Sequence, residues 1–421
     1  MRSPPHGPGR SDSAGPAPLR LPTVSATGFP EGFVWGAATA AHQIEGGNMN
    51  NDWWEFEHDP TAGCAEVSGD ACDSFNRYTE DIGLVADLGF SSYRFSLEWS
   101  RIEPAEGEFS LVALDHYRRM VAACHDRDIL PVVTFHHFTH PRWLAAMGTW
   151  EWAHAPDRFA RFCERCVAHF GDLIGMAATL NEPNVVSTMG WRHGLFPPRV
   201  RDRDRRSRVN DALVAAHRKG VGAIRSGPGA FPVGLTLSMT DYQLQPGGDQ
   251  WLERIRRPSE DVFLEGTEGD DFIGVQTYTR SRIGPAGSLD PEPGVPTTQM
   301  GYEFWPEALE GTIRRAWAKT GLPVYVTENG IGTGDDDARI EYVGRALSGV
   351  QRCLAEGIDV RGYFYWSLLD NFEWVLGYVP TFGLVAVDRN TFERRPKPSA
   401  SWLGEVASAN AMETMSGPGL E

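Results

Sequence analysis

Eight short runs of β-branched and aromatic residues alternate with longer amphipathic stretches along this chain, and no other feature of the sequence limits its fold so strongly. The runs are 33–38 (FVWGAA), 90–96 (FSSYRFS), 129–135 (ILPVVTF), 176–182 (MAATLNE), 231–238 (FPVGLTLS), 271–278 (DFIGVQTY), 323–328 (PVYVTE) and 360–367 (VRGYFYWS). Their interiors are mostly apolar rather than strictly alternating, as expected of strands covered by helices on the outer face. Helices are predicted at 74–88, 111–127, 156–170, 207–225, 303–320 and 338–356. Within 74–88, Phe75, Tyr78, Ile82, Val85 and Leu88 recur at three- and four-residue steps and form one apolar stripe, with Gly89 as a C-terminal stop. The segment 239–270 is less regular and predicts only a short helix near 250–256.

Strand–helix alternation repeated about eight times predicts a parallel sheet, either doubly wound or closed. A doubly wound dinucleotide fold would carry a GxGxxG fingerprint after its first strand, and Gly46–Gly47 offers none. Polar residues stand at strand ends along the whole chain instead: Arg94, His137, Asn181, Glu182, Tyr278, Glu328 and Trp366. A closed barrel assembles its site from the C-terminal ends of many strands. The expected fold class is therefore α/β, a single (β/α)8 TIM barrel spanning 28–405. No linker divides the chain, and 421 residues suit one large barrel. Residues 1–27 are rich in Pro, Gly and Ser and lack the apolar core of a signal peptide, so they are expected to be a disordered tail, with 406–421 as a second, frayed one.

A net charge of −17 gives no electrostatic footprint for nucleic acid or an anionic membrane, and no stretch approaches a membrane span. The expected location is cytoplasmic. Cys163 and Cys166 form a CxxC, but within a predicted helix and without a second ligand pair, so the six cysteines read as ordinary thiols. No HExxH, P-loop or Cys/His cluster appears, and no metal or organic cofactor is implied.

Two carboxylates carry the chemistry. Glu182 (TLNEPN) ends the fourth predicted strand and Glu328 (VTENG) the seventh, and these strands face one another across a barrel mouth. Glycosidic hydrolysis needs one carboxyl to protonate the leaving oxygen and a second to attack the anomeric carbon, about 5–5.5 Å away in a retaining enzyme and about 6.5–9.5 Å in an inverting one. Glu182, as acid, needs a raised pKa from apolar surroundings and the second negative charge. Glu328, as nucleophile, must stay ionised, with Arg94 and Tyr278 in reach to support it. Asn181 is placed to bind a sugar 2-hydroxyl, while Gln43, His137, Glu373 and Trp374 are candidates for the other hydroxyls and Trp366 for an apolar floor. A barrel that binds sugar without cleaving it is the alternative of another class.

The motifs FPEGFVWGAATAAHQIEGG, GDACDSFNRYTEDIGLVADLGFSSYRFSLEWSRI, TLNEPN, VTENG and YFYWSLLDNFEWVLGY, in this order, resemble glycoside hydrolase family 1, the β-glucosidase family, over roughly residues 29–405. The resemblance implies Glu182 as acid/base and Glu328 as nucleophile, Arg94 and Tyr278 as nucleophile support, and Gln43, His137, Asn181, Gln276, Trp366, Glu373, Trp374 and Phe382 as substrate contacts. It implies a small-molecule β-glycoside or short oligosaccharide as partner, with terminal β-D-glucosides foremost and β-galactosides or β-fucosides also accepted. Hydrolysis and transglycosylation would share the site. This chain departs from the family at Phe138 (usually Trp), at Gln276 (usually Asn) and at Leu376 (usually Glu). Its short 240–270 segment predicts a more open entrance. The stretch from Glu373 to Asp388 has no Lys or Arg, which argues against a 6-phosphorylated sugar.

Overall fold

The computed structural model describes residues 28–415. Eight parallel strands close into a barrel in sequential order: β1 (Val34–Ala38), β2 (Ser92–Ser96), β3 (Leu130–His136), β4 (Met176–Asn181), β5 (Val233–Ser238), β6 (Phe272–Gln276), β7 (Val324–Asn329) and β8 (Val360–Trp366), which pairs back onto β1. All eight coincide with the predicted runs to within two residues at either end. The outer helices are α1 (Ser74–Asp87), α2 (Leu111–His125), α3 (Ala155–Phe170), α4 (Arg203–Ser226), α5 (Asp249–Arg256), α6 (Ala308–Thr320), α7 (Asp336–Ala355) and α8 (Pro398–Ala409). Helix α6 starts five residues later than the predicted 303, because Glu303 is drawn into a buried ion pair with Arg280 at 2.5 Å and Pro306 follows.

The chain fits this frame for local reasons. The strand interiors are buried on both faces, which their continuous apolar character requires. Helix α3 begins with Pro156 in its first turn, and Phe159, Phe162, Cys163, Cys166, Val167 and Phe170 form its buried stripe. Burial among these side chains pushes both thiols well up in pKa.

The C-terminal boundary needs correction. Residues 406–415 are not a frayed tail: α8 continues to Ala409, Val406 and Ala407 are buried, and Ala411 bridges Gly28. Short apolar residues after position 405 give little periodic signal, yet they seal the bottom of the barrel beside Phe29, whose N–H donates to the Asn410 carbonyl. The tail expected at 1–27 lies outside the described residues. Among the described residues, no helix is long and apolar enough to cross a membrane.

Candidate active site

The C-terminal ends of the strands converge on one cavity of about 450 Å³. Glu182, Glu328, Gln43, His137, Tyr278, Trp366, Glu373, Trp374 and Phe382 line it. Arg94, Asn181 and Gln276 do not; they are buried immediately behind its wall.

Both carboxylates sit where a strand ladder shifts register. The β4–β5 pairing shifts between Ala178 and Asn181, and both ladders of β7 shift between Val326 and the last rung. Such irregularities turn a side chain out of the regular barrel layer. Glu182 then adopts a left-handed backbone (φ +44°), and Pro183 opens a short helix, Pro183–Ser187. The glycine of VTENG has a steric reason: a Cβ on Gly330 would lie 2.1 Å from the Trp366 carbonyl oxygen.

Glu328 is held by cationic and phenolic donors. Arg94 Nη1 donates to its Oε1 and Tyr278 Oη to its Oε2, both at 2.6 Å. Arg94 is fully buried and is itself fixed by Thr134 Oγ1 and the Thr327 carbonyl. Burial raises the Glu328 pKa, against the opposing pull of Arg94 and Tyr278. Glu182 has no comparable cation. Burial, and then the charge of Glu328, push its pKa up to about 8, although Gln276 Nε2 donates to its Oε1 at 2.9 Å. Glu373 is likewise pushed up to about 8 by burial and by Glu328.

The polar lining is oriented from behind. Arg94 Nη2 donates to Asn181 Oδ1, which fixes that amide so that its Nδ2 faces His137 Nε2 at 3.1 Å. An amide nitrogen only donates, so His137 Nε2 accepts and the imidazole carries its proton on Nδ1. Burial and Arg94 hold His137 neutral, and its Nδ1 has no protein partner. The ring therefore offers a donor from the cavity wall. Gln43 Nε2 donates to the Phe372 carbonyl at 2.8 Å, which leaves Gln43 Oε1 as an unpartnered acceptor. His137 stacks near-parallel to Trp366 and to Trp374, and Phe138 packs on Trp374.

Two sequence expectations change. Gln276 does not line the cavity: one end of its amide contacts Glu182 and the other accepts from Thr327 Oγ1 at 3.1 Å. Tyr278 lies past the end of β6 rather than on it, anchored by Tyr342 Oη donating to its carbonyl at 2.7 Å. The 239–270 segment contributes Thr240, Tyr242 and Ser259 to the cavity wall. Sequence reasoning passed over Asn184, a lining residue whose Oδ1 is buried without a partner although it belongs to TLNEPN. It also passed over Met300 and Tyr302, which come from a loop with no periodicity to betray them. Among the described residues no group of His, Cys, Asp and Glu is arranged to hold a metal ion.

Known proteins resemble this chain over most of its length. Residues 25–264 and 268–412 match the family described as glycosyl hydrolase family 1. Beta-glucosidase A of Thermotoga maritima is 31% identical, over 91% of this chain and 99% of its own length. The crystal structure of beta-glycosidase BGL167 superposes with a TM-score of 0.86 at 47% identity, covering 93% of this chain and 100% of that one. The Thermotoga maritima beta-glucosidase in complex with glucoimidazole gives a TM-score of 0.86 at 29% identity, over 92% of this chain and 100% of that one. With a closed eight-stranded barrel and a match running through nearly all of it, this chain belongs to glycosyl hydrolase family 1.

Proposed function

We propose that this chain is a retaining β-glycosidase that releases terminal β-D-glucose, with β-D-galactosides and β-D-fucosides as further substrates. The observation that carries the reading is the asymmetry of two carboxyls in one cavity: Glu328 is clamped by Arg94 and Tyr278, whereas Glu182, without a cation, has a pKa of about 8. At neutral pH the first is the ionised nucleophile and the second the proton donor.

Glu328 attacks the anomeric carbon as Glu182 protonates the glycosidic oxygen, and the aglycone leaves as an alcohol. Water then attacks the glycosyl-enzyme ester, giving its proton to Glu182 and releasing Glu328. His137 Nδ1–H, Gln43 Oε1 and Glu373 are placed to bind sugar hydroxyls, with Trp366 as the apolar face beneath the ring. Relatives named β-glucosidases support glucose as the first choice. The lining residues include no Lys or Arg, in keeping with an unphosphorylated sugar. An added alcohol would intercept the same intermediate by transglycosylation.

The test is release of p-nitrophenol from the β-glucoside, β-galactoside, β-fucoside and 6-phospho-β-glucoside. Turnover of an unphosphorylated β-glycoside is the expected result; silence of folded protein on all four would favour a binding role.

Two further outcomes follow from the same contacts. The phenol of Tyr278 has a pKa well above the ordinary value, so it stays protonated as a donor to Glu328. Tyr278→Phe removes a hydrogen bond to a charged group, worth about 1.5–3 kcal/mol, and should lower kcat by about tenfold or more with a smaller change in KM. The pH profile of kcat/KM should be bell-shaped. Its alkaline limb lies at about 8, where Glu182 loses the proton it must donate, and Glu373 titrates in the same range, so the limb belongs to the pair. Its acid limb lies above the ordinary carboxylate range, because burial raises Glu328. Activity that keeps rising beyond the alkaline limb would contradict the assignment of Glu182.

A further inference from the structure

Several large apolar side chains stay in water at the mouth of the cavity, and they follow its walls outward. After Glu373 the chain climbs from Trp374, 5% exposed, through Leu376, 37%, to Val379, 64%. The N–H of Thr381 then donates to Gln299 Oε1 at 2.9 Å, which ties this rim to the loop carrying Met300 and the exposed Tyr302. On another wall the chain runs from Glu182 past Val185 and Met189 to Leu195, 49% exposed, whose N–H returns to the Met189 carbonyl at 2.8 Å. Phe196, next in sequence, approaches the Trp374 ring to 6.4 Å between centroids, so the two walls meet. A leaving group that takes its proton from Glu182 passes out of the cavity along these walls.

What the walls present is mostly hydrocarbon. Val185, Met189, Phe196, Met300, Val375 and Leu376 all line the cavity. Apart from Glu182, Glu328 and Glu373, no charged side chain lines it. Polar groups of the lining are engaged with the protein. Asn184 Nδ2 donates to the Ser238 carbonyl at 2.7 Å, Ser259 Oγ donates to the Ile255 carbonyl at 2.6 Å, and the Thr188 hydroxyl accepts from Arg206 at 2.9 Å. A second sugar would bring several hydroxyls out of water, and each costs free energy where no partner meets it. An alkyl or aryl group instead covers apolar surface that is otherwise wet. We infer that the aglycone is a hydrophobic alcohol running from the cavity over Leu376 to the apolar rim, so that this enzyme favours glucosides of apolar alcohols over those of a second sugar. The inference rests on the glycosidase reading above. It names the leaving group and leaves the bond-breaking steps unchanged.

The test is a series of n-alkyl β-D-glucosides from ethyl to octyl, kept below micelle-forming concentrations, with cellobiose beside them. These alcohols are of nearly equal acidity, so differences along the series report contact with the protein rather than leaving-group chemistry. In wild type kcat/KM should rise by about two- to fourfold per methylene, the value of a half-buried to a fully buried CH2 group. The gain should come through KM with kcat nearly level, because the contact is made in substrate and transition state alike. Hexyl glucoside should exceed cellobiose by about tenfold or more. Leu376→Gln, at an exposed position, should flatten the rise, and Leu376→Met should keep it. Each slope is read within one variant and does not depend on that variant's overall rate. A flat series in wild type, cellobiose preferred to hexyl glucoside, or a slope unchanged in Leu376→Gln would overturn the inference. Turnover of ethyl glucoside reads the glycosidase activity alone, so loss of that activity and loss of the slope are separate results.

Discussion

Glu328→Ala should lower kcat on p-nitrophenyl β-glucoside by on the order of ten-thousandfold or more, as removal of a covalent nucleophile does elsewhere. The loss has two parts. No group remains to bond the anomeric carbon, and Arg94 and Tyr278 are left aimed at an empty position. Glu328→Gln, which keeps the side-chain shape, with its amide oxygen accepting from Arg94 and its NH2 donating to the Tyr278 hydroxyl, separates misfolding from lost chemistry: it should melt near wild type and be as inactive. Sodium azide should partly restore Glu328→Ala. A small anion beside Arg94 attacks the sugar from the face opposite the aglycone, and the product is the α-glucosyl azide. A β-azide from this variant would reverse the assignment of the two carboxyls.

Glu182→Ala should show a different pattern. Its effect depends on how much the leaving group needs a proton: about a hundredfold to ten-thousandfold on an alkyl glucoside, and far less on a dinitrophenyl glucoside. With an activated substrate the glycosyl-enzyme still forms on Glu328 and then accumulates, because no base activates water. Azide needs no base. It should release the intermediate as the β-glucosyl azide, retained rather than inverted. Equal losses on good and poor leaving groups would remove Glu182 from the proton-transfer step. The product configurations from the two variants are thus a joint test, and neither depends on measuring how far apart the carboxyls lie.

The barrel was legible because its strands are buried on both faces. Continuous apolar runs and Gly-punctuated amphipathic stretches leave a clear trace, so all eight strands could be placed from residues alone. Convergence of the motif residues on one cavity was legible too, since the closed topology forces strand ends together. What sequence did not disclose was the difference between lining the cavity and standing behind its wall. Asn181 is next to Glu182 in sequence, but it spends its amide orienting His137. Gln276, the ladder partner of Glu328, spends its amide on Glu182 and Thr327. Irregular loops hide Met300 and Tyr302, and the packed end beyond position 405 reads as a tail because short residues carry no pattern.

The left-handed backbone at Glu182 has a price in heat tolerance. Phe138 (φ +69°) and Trp374 (φ +52°) share the conformation and the cavity, and each such non-glycine residue costs about 1–2 kcal/mol. Glycine at 182 would relieve one of these costs and a buried carboxyl together, and the space it vacates opens onto the cavity rather than into the core. Glu182→Gly should therefore melt roughly 2 °C above wild type while turning over alkyl glucosides hardly at all. Selection of random variants for survival at high temperature, without a simultaneous demand for turnover, would be expected to erode the mouth of this barrel before its core.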